Sequence, residues 1–186
     1  MISKNMLDDI KEVLFSEEQL AEMIKRMGKE ISEDYKDKNL LLICILKGSV
    51  TVMADLMRAI TVPAEIDFMA VSSYTNRTES SGNVKIIKDL DQNIEGYDVV
   101  IVEDILDSGR TLSYLKEILL ARNPSSLKIC TMFDKPERRV VDTISADYVG
   151  CNVPDAFIVG YGLDYDQKYR NLPFVGILKE SVYMNN

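Results

Sequence analysis

Three carboxylates and a short polar turn follow one apolar run in the middle of this chain. The run, residues 99–102 (Val-Val-Ile-Val), has the composition of a buried strand, and Glu103, Asp104 and Asp107 come after it. Residues 108–111 (Ser-Gly-Arg-Thr) then form a small turn before a helical pattern. The backbone N–H groups of such a turn bind anions together with the positive end of the helix. These residue types therefore predict a site for a ligand that combines hydroxyl groups, phosphate and a divalent metal.

The patterns around this turn alternate between helices and strands. Ser16 and Gln19 form a capping box, and apolar residues at helical spacing follow it, so the sequence predicts a helix over Glu17–Asp34. The apolar run Leu40–Leu46 is typical of a parallel strand that is covered on both faces. Further helical patterns follow Val50 and Leu112. Other strands are predicted at residues 65–72, 84–88, 99–102, 127–133 and 148–153, with shorter candidates at 157–159 and 174–178.

Strands that alternate with helices predict an α/β fold with a mostly parallel central sheet flanked by helices. In such sheets, ligands bind at the carboxyl ends of the strands. The turns after Leu46 and after Val102 both lie at predicted strand ends, so we expect them to meet in one crevice.

The composition is that of a globular protein, with 186 residues, 46% of them hydrophobic. A formal net charge of -8 argues against nucleic acid as a partner. No apolar run is long enough to cross a membrane and the N-terminus lacks a signal-peptide pattern, so we expect a cytoplasmic protein. Cys44, Cys130 and Cys151 lie in or beside apolar segments, as expected for buried thiols in a reducing compartment. Because histidine is absent, proton transfer falls to carboxylate, lysine, tyrosine, cysteine or water.

Two polar segments follow predicted strands in the first half of the chain. Lys47-Gly48 can present backbone N–H groups and a cation to a polyphosphate, although by itself it is an ordinary strand-to-helix turn. Residues 73–83 are small and polar, which is typical of a surface loop and also of a functional lid.

Two segments in the second half carry groups that suit a flat heterocycle. Lys135 follows the strand at 127–133, where an ammonium group can donate to a carbonyl oxygen, although most residues of this charged loop are expected to be solvated. Residues 157–159 read equally well as a core strand or as part of a site, because Phe157 can stack on a ring.

Residues 102–111 (Val-Glu-Asp-Ile-Leu-Asp-Ser-Gly-Arg-Thr) closely resemble the motif that binds phosphoribosyl pyrophosphate (PRPP) in the type I phosphoribosyltransferases. Every fixed position of the hypoxanthine-guanine branch of that family, V-E-D-I-hydrophobic-D-[ST]-G-x-T, is met. Residues 159–164 (Val-Gly-Tyr-Gly-Leu-Asp) and the pair Tyr169-Arg170 match a second motif of this branch. The resemblance runs in matching order over about residues 40–178. It implies the type I phosphoribosyltransferase fold, as a single domain over residues 1–186 with a small hood subdomain from the N-terminal and C-terminal segments.

The resemblance further implies purine salvage, in which the 5-phosphoribosyl group of PRPP passes to hypoxanthine or guanine with Mg²⁺ as cofactor. Asp107 would be the catalytic residue, a general base near purine N7, and Asp164, Glu103 and Asp104 would be the candidate metal ligands. The binding roles fall to Glu103, Asp104, Ser108, Gly109, Arg110 and Thr111 for ribose and 5′-phosphate, Lys47, Gly48, Arg170, Ser73 and Tyr74 for pyrophosphate, and Lys135, Phe157, Ile158 and Asp164 for the purine. The family also implies a mobile lid at about residues 73–83, a cis peptide between Lys47 and Gly48, and a dimer or tetramer.

Other functions stay open at this point. A regulatory PRPP-binding protein on the same fold would keep the turn at 108–111 but would need no purine-binding Lys135 or Phe157. A phosphoribosyltransferase for xanthine, adenine or uracil is another alternative, although an ammonium group would oppose the amino group of adenine. A phosphoacceptor receiver domain also uses paired acids, but its pair follows the first strand, whereas Glu103-Asp104 lies past the middle of the chain.

Overall fold

The computed structural model describes residues 4–73 and 84–184. Its helices are α1 (Lys4–Asp8), α2 (Glu17–Asp34), α3 (Val50–Ala59), α4 (Arg110–Leu120) and α5 (Glu180–Tyr183), with a 3-10 turn at Pro136–Arg138. Its strands are β1 (Ile10–Phe15), β2 (Leu40–Leu46), β3 (Ala64–Ser73), β4 (Val84–Lys88), β5 (Asp98–Leu106), β6 (Ser126–Asp134), β7 (Tyr148–Asn152), β8 (Ile158–Val159) and β9 (Val175–Leu178). None of the helices in these residues is long and apolar enough to span a membrane.

Six strands form the central sheet, in the order β4-β3-β2-β5-β6-β7. Strands β3, β2, β5, β6 and β7 run parallel, and β4 is antiparallel to β3 at one edge. Helix α3 connects β2 to β3 and helix α4 connects β5 to β6, whereas the connection from β6 to β7 contains only the 3-10 turn at Pro136–Arg138. The predicted α/β fold with a mostly parallel central sheet is confirmed.

The uninterrupted apolar sequence of β2 fills two cores at once. Leu40 and Leu42 pack with α2 and α3 on one face of the sheet, whereas Leu41 and Ile43 pack with α4 on the other. Successive side chains of a strand point to opposite faces, so a strand covered on both faces needs apolar residues at every position. The central strands are therefore rigid supports for the loops that follow them.

Helix α2 begins where its capping box predicts. The Ser16 hydroxyl accepts from the Gln19 backbone N–H at 3.3 Å, and the Gln19 side chain accepts from the Ser16 backbone N–H at 2.8 Å. The two bonds satisfy donors that the first helical turn leaves without partners. The predicted bounds Glu17–Asp34 are those of the structure.

Strand β5 is longer than the apolar run 99–102 predicts. It continues to Leu106, so Glu103 and Asp104 lie within the strand and not after it. Pairing with β6 extends through Glu103 opposite Thr131 and Leu106 opposite Asp134. Backbone groups can pair whatever the polarity of their side chains, so an apolar run can underestimate the length of a strand. Asp107 is then the first residue after the strand.

A second, three-stranded sheet joins the two ends of the chain in the order β1-β9-β8. Both of its strand pairs are antiparallel. The sequence predicts β8 and β9 but neither β1 nor α5. The charged pair Lys11-Glu12 interrupts the apolar pattern of β1, and its pairing partner β9 lies at the opposite end of the chain.

Candidate functional site

The turns after β2 and β5 lie side by side, because these two strands are parallel neighbours in the central sheet. The Asp104 backbone N–H donates to the Ser49 hydroxyl oxygen at 3.2 Å. The same oxygen lies 3.0 Å from Glu103 Oε2. Ser49 is fully buried and connects the Lys47-Gly48 turn to Glu103 and Asp104, which we call the acid pair.

Gly48 approaches Asp104 so closely that an added side chain would require the turn or the carboxylate to move. A Cβ atom on Gly48 would lie 1.6 Å from Asp104 Oδ2, and one on Gly162 would lie 2.1 Å from the Gly48 carbonyl oxygen. Gly162 also has a φ of +99°, a conformation that favours glycine. The turn after β2 is therefore held between β5 and the segment that follows β8.

The acid pair has unusual electrostatics. Burial raises the pKa of Glu103 well above its usual range, and the neighbouring Asp104 carboxylate raises it further. Burial also raises the pKa of Asp104 to about 6. The Ile105 backbone N–H, which donates to Asp104 Oδ1 at 2.8 Å, and the positive charge of Arg170 both oppose this rise. Two desolvated carboxyl groups that repel each other favour the binding of a cation or of hydroxyl donors.

The turn at 108–111 connects β5 to α4. Gly109 precedes the first residue of α4, Arg110, with a left-handed φ of +82°. The first N–H groups of a helix lack partners within the helix, so this turn presents donors to an anion. The Arg110 side chain is exposed. A small cavity of about 80 Å³ lies here, lined by Glu103, Ile105, Leu106, Asp107, Ser108, Gly109, Thr111 and Leu112.

A larger cavity of about 560 Å³ lies between the loops of the central sheet and the small sheet. Asp107, Lys135 and Phe157, which the sequence analysis assigns to one site, all line it. Strand β9 and helix α5 supply further lining, including Tyr183. Asp107 lines both cavities, so this residue lies where the two meet.

The Asp107 side chain is 44% exposed, although one of its carboxylate oxygens is shielded. The shielded Oδ1 atom has no hydrogen-bond partner among the described residues. The guanidinium Nε of Arg138 lies 3.6 Å from it, beyond hydrogen-bond range. A carboxylate in a cavity wall that keeps part of its side chain exposed is suited to accept a proton from a ligand.

Lys135 is a buried cation in the wall of the same cavity. Its Nζ atom donates to the Ala156 carbonyl oxygen at 2.8 Å. The Asp155 carboxylate lies 3.6 Å from it. The ammonium group is therefore held near the cavity with a carboxylate as counter-charge.

Phe157 belongs to an aromatic cluster at the edge of this cavity. Phe157 is 39% exposed, and its ring stacks on Tyr183 with centroids 5.1 Å apart and forms a T-shaped pair with Tyr165 at 5.5 Å. Ile158 is buried and begins β8, an edge strand of the small sheet. Edge strands leave backbone groups unpaired on one side, so such a strand can bind the polar edge of a ligand.

Asp164 and Arg170 form an ion pair close to the acid pair. Their Oδ1 and Nη2 atoms are 2.8 Å apart, and Arg170 Nη1 donates to the Gly162 carbonyl oxygen at 2.7 Å. Asp164 raises the pKa of Asp104 and Arg170 lowers it, which reflects this proximity. Arg170 Nε is buried without a hydrogen-bond partner among the described residues.

The predicted site residues thus form two groups that share Asp107. Ile158 and Asp164 are not among the described residues that line the larger cavity, although both were expected at the purine. Ser73 is the last residue of β3 and pairs with Val84, whereas Tyr74 and the expected lid after it lie outside the described residues.

One backbone expectation is wrong. The cis peptide bond joins Leu46 and Lys47, not Lys47 and Gly48. The bond therefore lies directly at the end of β2, where the ladder with β3 stops at Leu46.

Several residues of the site were not predicted from the sequence. Ser49 stands next to a turn that was singled out, and its position beside a predicted strand end was the available signal. Arg138 and Asp155 lie in charged or polar loops, where spacing does not predict a role. Tyr183 lies in α5, a four-residue helix that no pattern predicted.

The side chains near Asp104 fit a magnesium ion. Carboxylate oxygens are the donors that Mg²⁺ prefers, and the raised pKa values of Glu103 and Asp104 indicate negative charge that lacks full compensation. Within residues 4–73 and 84–184, no three Asp, Glu, Cys or His side chains gather closely enough to hold a metal by themselves. Magnesium commonly binds through one or two carboxylates together with phosphate groups of a substrate and water.

Comparison with known proteins agrees with this geometry. The phosphoribosyl transferase domain model matches residues 12–166. The hypoxanthine-guanine phosphoribosyltransferase of Streptococcus thermophilus is 58% identical over 175 residues, which cover 94% of this chain and 97% of that protein. The corresponding enzyme of Streptococcus agalactiae serotype V is 55% identical over 176 residues, 95% of this chain and 97% of that protein.

Solved structures show the same similarity. A hypoxanthine phosphoribosyltransferase from Staphylococcus aureus has a TM-score of 0.94 and 50% sequence identity, and the match covers 98% of this chain and 99% of that chain. A hypoxanthine phosphoribosyl transferase from Trypanosoma cruzi has a TM-score of 0.91 at 43% identity, covering 96% of each chain. The domain match, the near full-length identity and the shared fold lead to one conclusion: the chain belongs to the phosphoribosyltransferase family.

Proposed function

We propose that this protein is a hypoxanthine-guanine phosphoribosyltransferase of purine salvage. It transfers the 5-phosphoribosyl group of PRPP to hypoxanthine or guanine and yields IMP or GMP together with pyrophosphate. The observation that carries the proposal is the position of Asp107. This residue lines both the 80 Å³ cavity at residues 108–111 and the 560 Å³ cavity that Lys135 and Phe157 also line. The 55–58% identity to curated hypoxanthine-guanine enzymes supports the same activity.

The larger cavity holds the purine in this proposal. The ring stacks on Phe157, which is partly exposed, and the backbone near Ile158 binds its edge. Lys135 donates to the 6-oxo group. Asp107, whose side chain is 44% exposed, accepts the proton of N7 through its carboxylate. Base catalysis of this kind contributes about 10²–10⁴-fold to the rate.

The acid pair and the turn at 108–111 hold the phosphoribosyl group. Glu103 and Asp104 accept from the ribose hydroxyls, and the backbone N–H groups at the start of α4 bind the 5′-phosphate. The hydroxyl groups of Ser108 and Thr111 add donors, and Gly109 permits the turn. Arg110 is exposed, so backbone groups do most of the binding. As pyrophosphate leaves, the ribose carbon gains positive charge, which nearby carboxylates stabilise.

Lys47, Gly48 and Arg170 bind the pyrophosphate group, with Ser73 and Tyr74 at the start of the proposed lid over residues 73–83. Asp164, Glu103 and Asp104 are the residues that would hold Mg²⁺. When bound, the ion neutralises and orients the pyrophosphate leaving group.

Residues 1–186 form one domain, and the small sheet of β1, β9 and β8 with α5 is its hood. The partners are small molecules, with no nucleic acid or membrane, which suits the net charge of -8. The protein acts in the cytoplasm as a dimer or tetramer.

An absorbance assay with PRPP, Mg²⁺ and one purine at a time tests the activity. We expect nucleotide and pyrophosphate from hypoxanthine and guanine and none from adenine, and the rate with xanthine ranks the third 6-oxopurine. Xanthine as the best substrate would change the assigned specificity. Absence of product with all four purines would favour a regulatory PRPP-binding protein.

A further inference from the structure

Four charged side chains of alternating sign line the 560 Å³ cavity in one row. Lys135 Nζ lies 3.6 Å from Asp155 Oδ1, and the same oxygen lies 3.8 Å from Arg138 Nη1. Arg138 Nε in turn lies 3.6 Å from Asp107 Oδ1. The row connects the proposed donor to the 6-oxo group with the proposed base at N7.

The surroundings of Lys135 leave hydrogen-bond donors for a ligand. Its side chain is 10% exposed, so water does little to solvate the charge, and a buried cation requires a counter-charge. The Ala156 carbonyl oxygen accepts one of its three N–H groups at 2.8 Å, whereas the Asp155 carboxylate lies 3.6 Å away, beyond hydrogen-bond range. An N–H group of Lys135 is therefore available to a carbonyl oxygen in the cavity.

Asp155 is placed to act on both ends of this row. It is the carboxylate paired with Lys135 among the described residues, and it also faces Arg138, whose other nitrogen approaches Asp107. Because O6 and N7 are neighbours on one edge of a 6-oxopurine, the two groups that contact them must keep a fixed separation. Asp155, which lies between Lys135 and Arg138, maintains the separation of Lys135 from Asp107.

We propose that Asp155 is a positioning residue that orients Lys135 toward the 6-oxo group and, through Arg138, holds Asp107 in place. This inference rests on the proposed function. Asp155 contacts no substrate atom itself. Its loss therefore weakens purine binding and the preference for 6-oxopurines, and it leaves the binding of PRPP unchanged.

The test compares Asp155→Asn, Asp155→Glu and the parent protein in steady-state assays with both substrates varied. Asp155→Asn is expected to raise the KM for hypoxanthine about five- to tenfold, a modest factor because Asp155 is half exposed, with the KM for PRPP within about twofold. Asp155→Glu restores most of the loss. Asp91→Asn is the matched control, because Asp91 pairs with Lys88 at 3.1 Å on the surface and is remote from the cavity row.

A double-mutant cycle separates positioning from a general structural effect. If Asp155 acts through Lys135, then Asp155→Asn adds little to the loss that Lys135→Met already causes. Arg138→Met provides a second route should Asp155→Asn not fold, because the Arg138 side chain is 55% exposed and its replacement spares the core. It is expected to raise the KM for hypoxanthine about two- to threefold and to lower kcat, again without effect on PRPP.

Several results would overturn the inference. In Asp155→Asn, these are an unchanged KM for hypoxanthine, or an equal rise in the KM of both substrates. In the double-mutant cycle, it is a loss from Asp155→Asn that is equally large in the parent and in Lys135→Met. If Arg138→Met is used instead, it is a variant with the kinetics of the parent. An inactive parent would overturn the proposed function and this inference with it, whereas an active parent with any of these results overturns the inference alone.

Discussion

The two sides of the proposed site are built in different ways. The PRPP side comprises the Lys47-Gly48 turn, the Glu103-Asp104 pair and residues 108–111, and its closest contacts involve backbone atoms and glycines. The purine side comprises Lys135, Asp155, Arg138 and Phe157, and its contacts join long side chains from separate loops. The PRPP side therefore depends on shape and tolerates little change, whereas the purine side depends on charge placement and can be tuned.

Replacement of Asp107, which lies at the boundary of the two sides, should have the largest effect on turnover. Asp107→Asn removes the proton acceptor but keeps the size of the side chain, so kcat should fall by about 10²–10⁴-fold. Binding of PRPP, measured by calorimetry, should persist because the turn at 108–111 is intact. Turnover within a few-fold of the parent would refute the assignment of Asp107 as base.

A change in shape on the PRPP side should be nearly as damaging. In Gly48→Ala the added Cβ would lie 1.6 Å from Asp104 Oδ2, so the turn or the carboxylate must move. We expect kcat/KM for PRPP to fall by about 10²-fold, since displacements near 1 Å have effects of this size. Gly96→Asn is the control, because Gly96 has open space around it and asparagine tolerates its φ of +79°. An unaltered kcat/KM for PRPP would show that shape does not govern this side.

The buried charge of Glu103 and Asp104 should lower the free energy of unfolding, although the same charge serves the binding of PRPP. The pKa of Asp104 is about 6 in the fold against an ordinary 3.8, so the folded protein binds a proton more readily than the unfolded chain. The parent should therefore become more stable through this group as the pH falls from 7 through 6 toward 4. Asp104→Asn should raise the free energy of unfolding at pH 7, and it should raise it by less at pH 5.

Urea unfolding at the two pH values measures this difference, with the KM for PRPP measured in parallel. The variant should be more stable and bind PRPP less well. A variant that is less stable than the parent at pH 7 would contradict the proposed electrostatics of the PRPP side.

Replacement of Tyr183, whose ring stacks on Phe157 on the purine side, should have the smallest effect. Tyr183→Leu removes the ring that stacks on Phe157, and aromatic pairs of this kind contribute about 0.5–1.5 kcal/mol. The KM for hypoxanthine should rise a few-fold and the KM for PRPP should not change. Tyr183→Phe keeps the ring and serves as control, so a purine KM equally raised in both variants would exclude stacking as the cause.

The same contrast explains what the sequence could predict. The PRPP side lies largely within continuous motifs, so residues such as Asp107 and Gly109 were identified by type and spacing. Strand β2 and helix α2 were predicted to the residue, because periodicity and a capping box are local signals. The end of β5 was not, because backbone pairing extends beyond the apolar run.

On the purine side, Lys135 and Phe157 were singled out from the sequence, but the arrangement of the other residues required the structure. Arg138 and Asp155 are brought together by the loops after β6 and β7, and no local pattern encodes that distance. Strand β1 and Tyr183 come from the two ends of the chain, and their placement depends on the pairing of β1 with β9. The close approach of Gly48 to Asp104 is likewise a tertiary contact, although both residues were singled out.

The most direct test is a crystal structure of the protein with IMP and Mg²⁺. The account predicts that purine N7 lies about 2.6–3.2 Å from the Asp107 carboxylate, with the 5′-phosphate at residues 108–111 and the base against Phe157. An IMP molecule whose base lies outside the cavity with Lys135, or whose N7 is out of reach of Asp107, would contradict it.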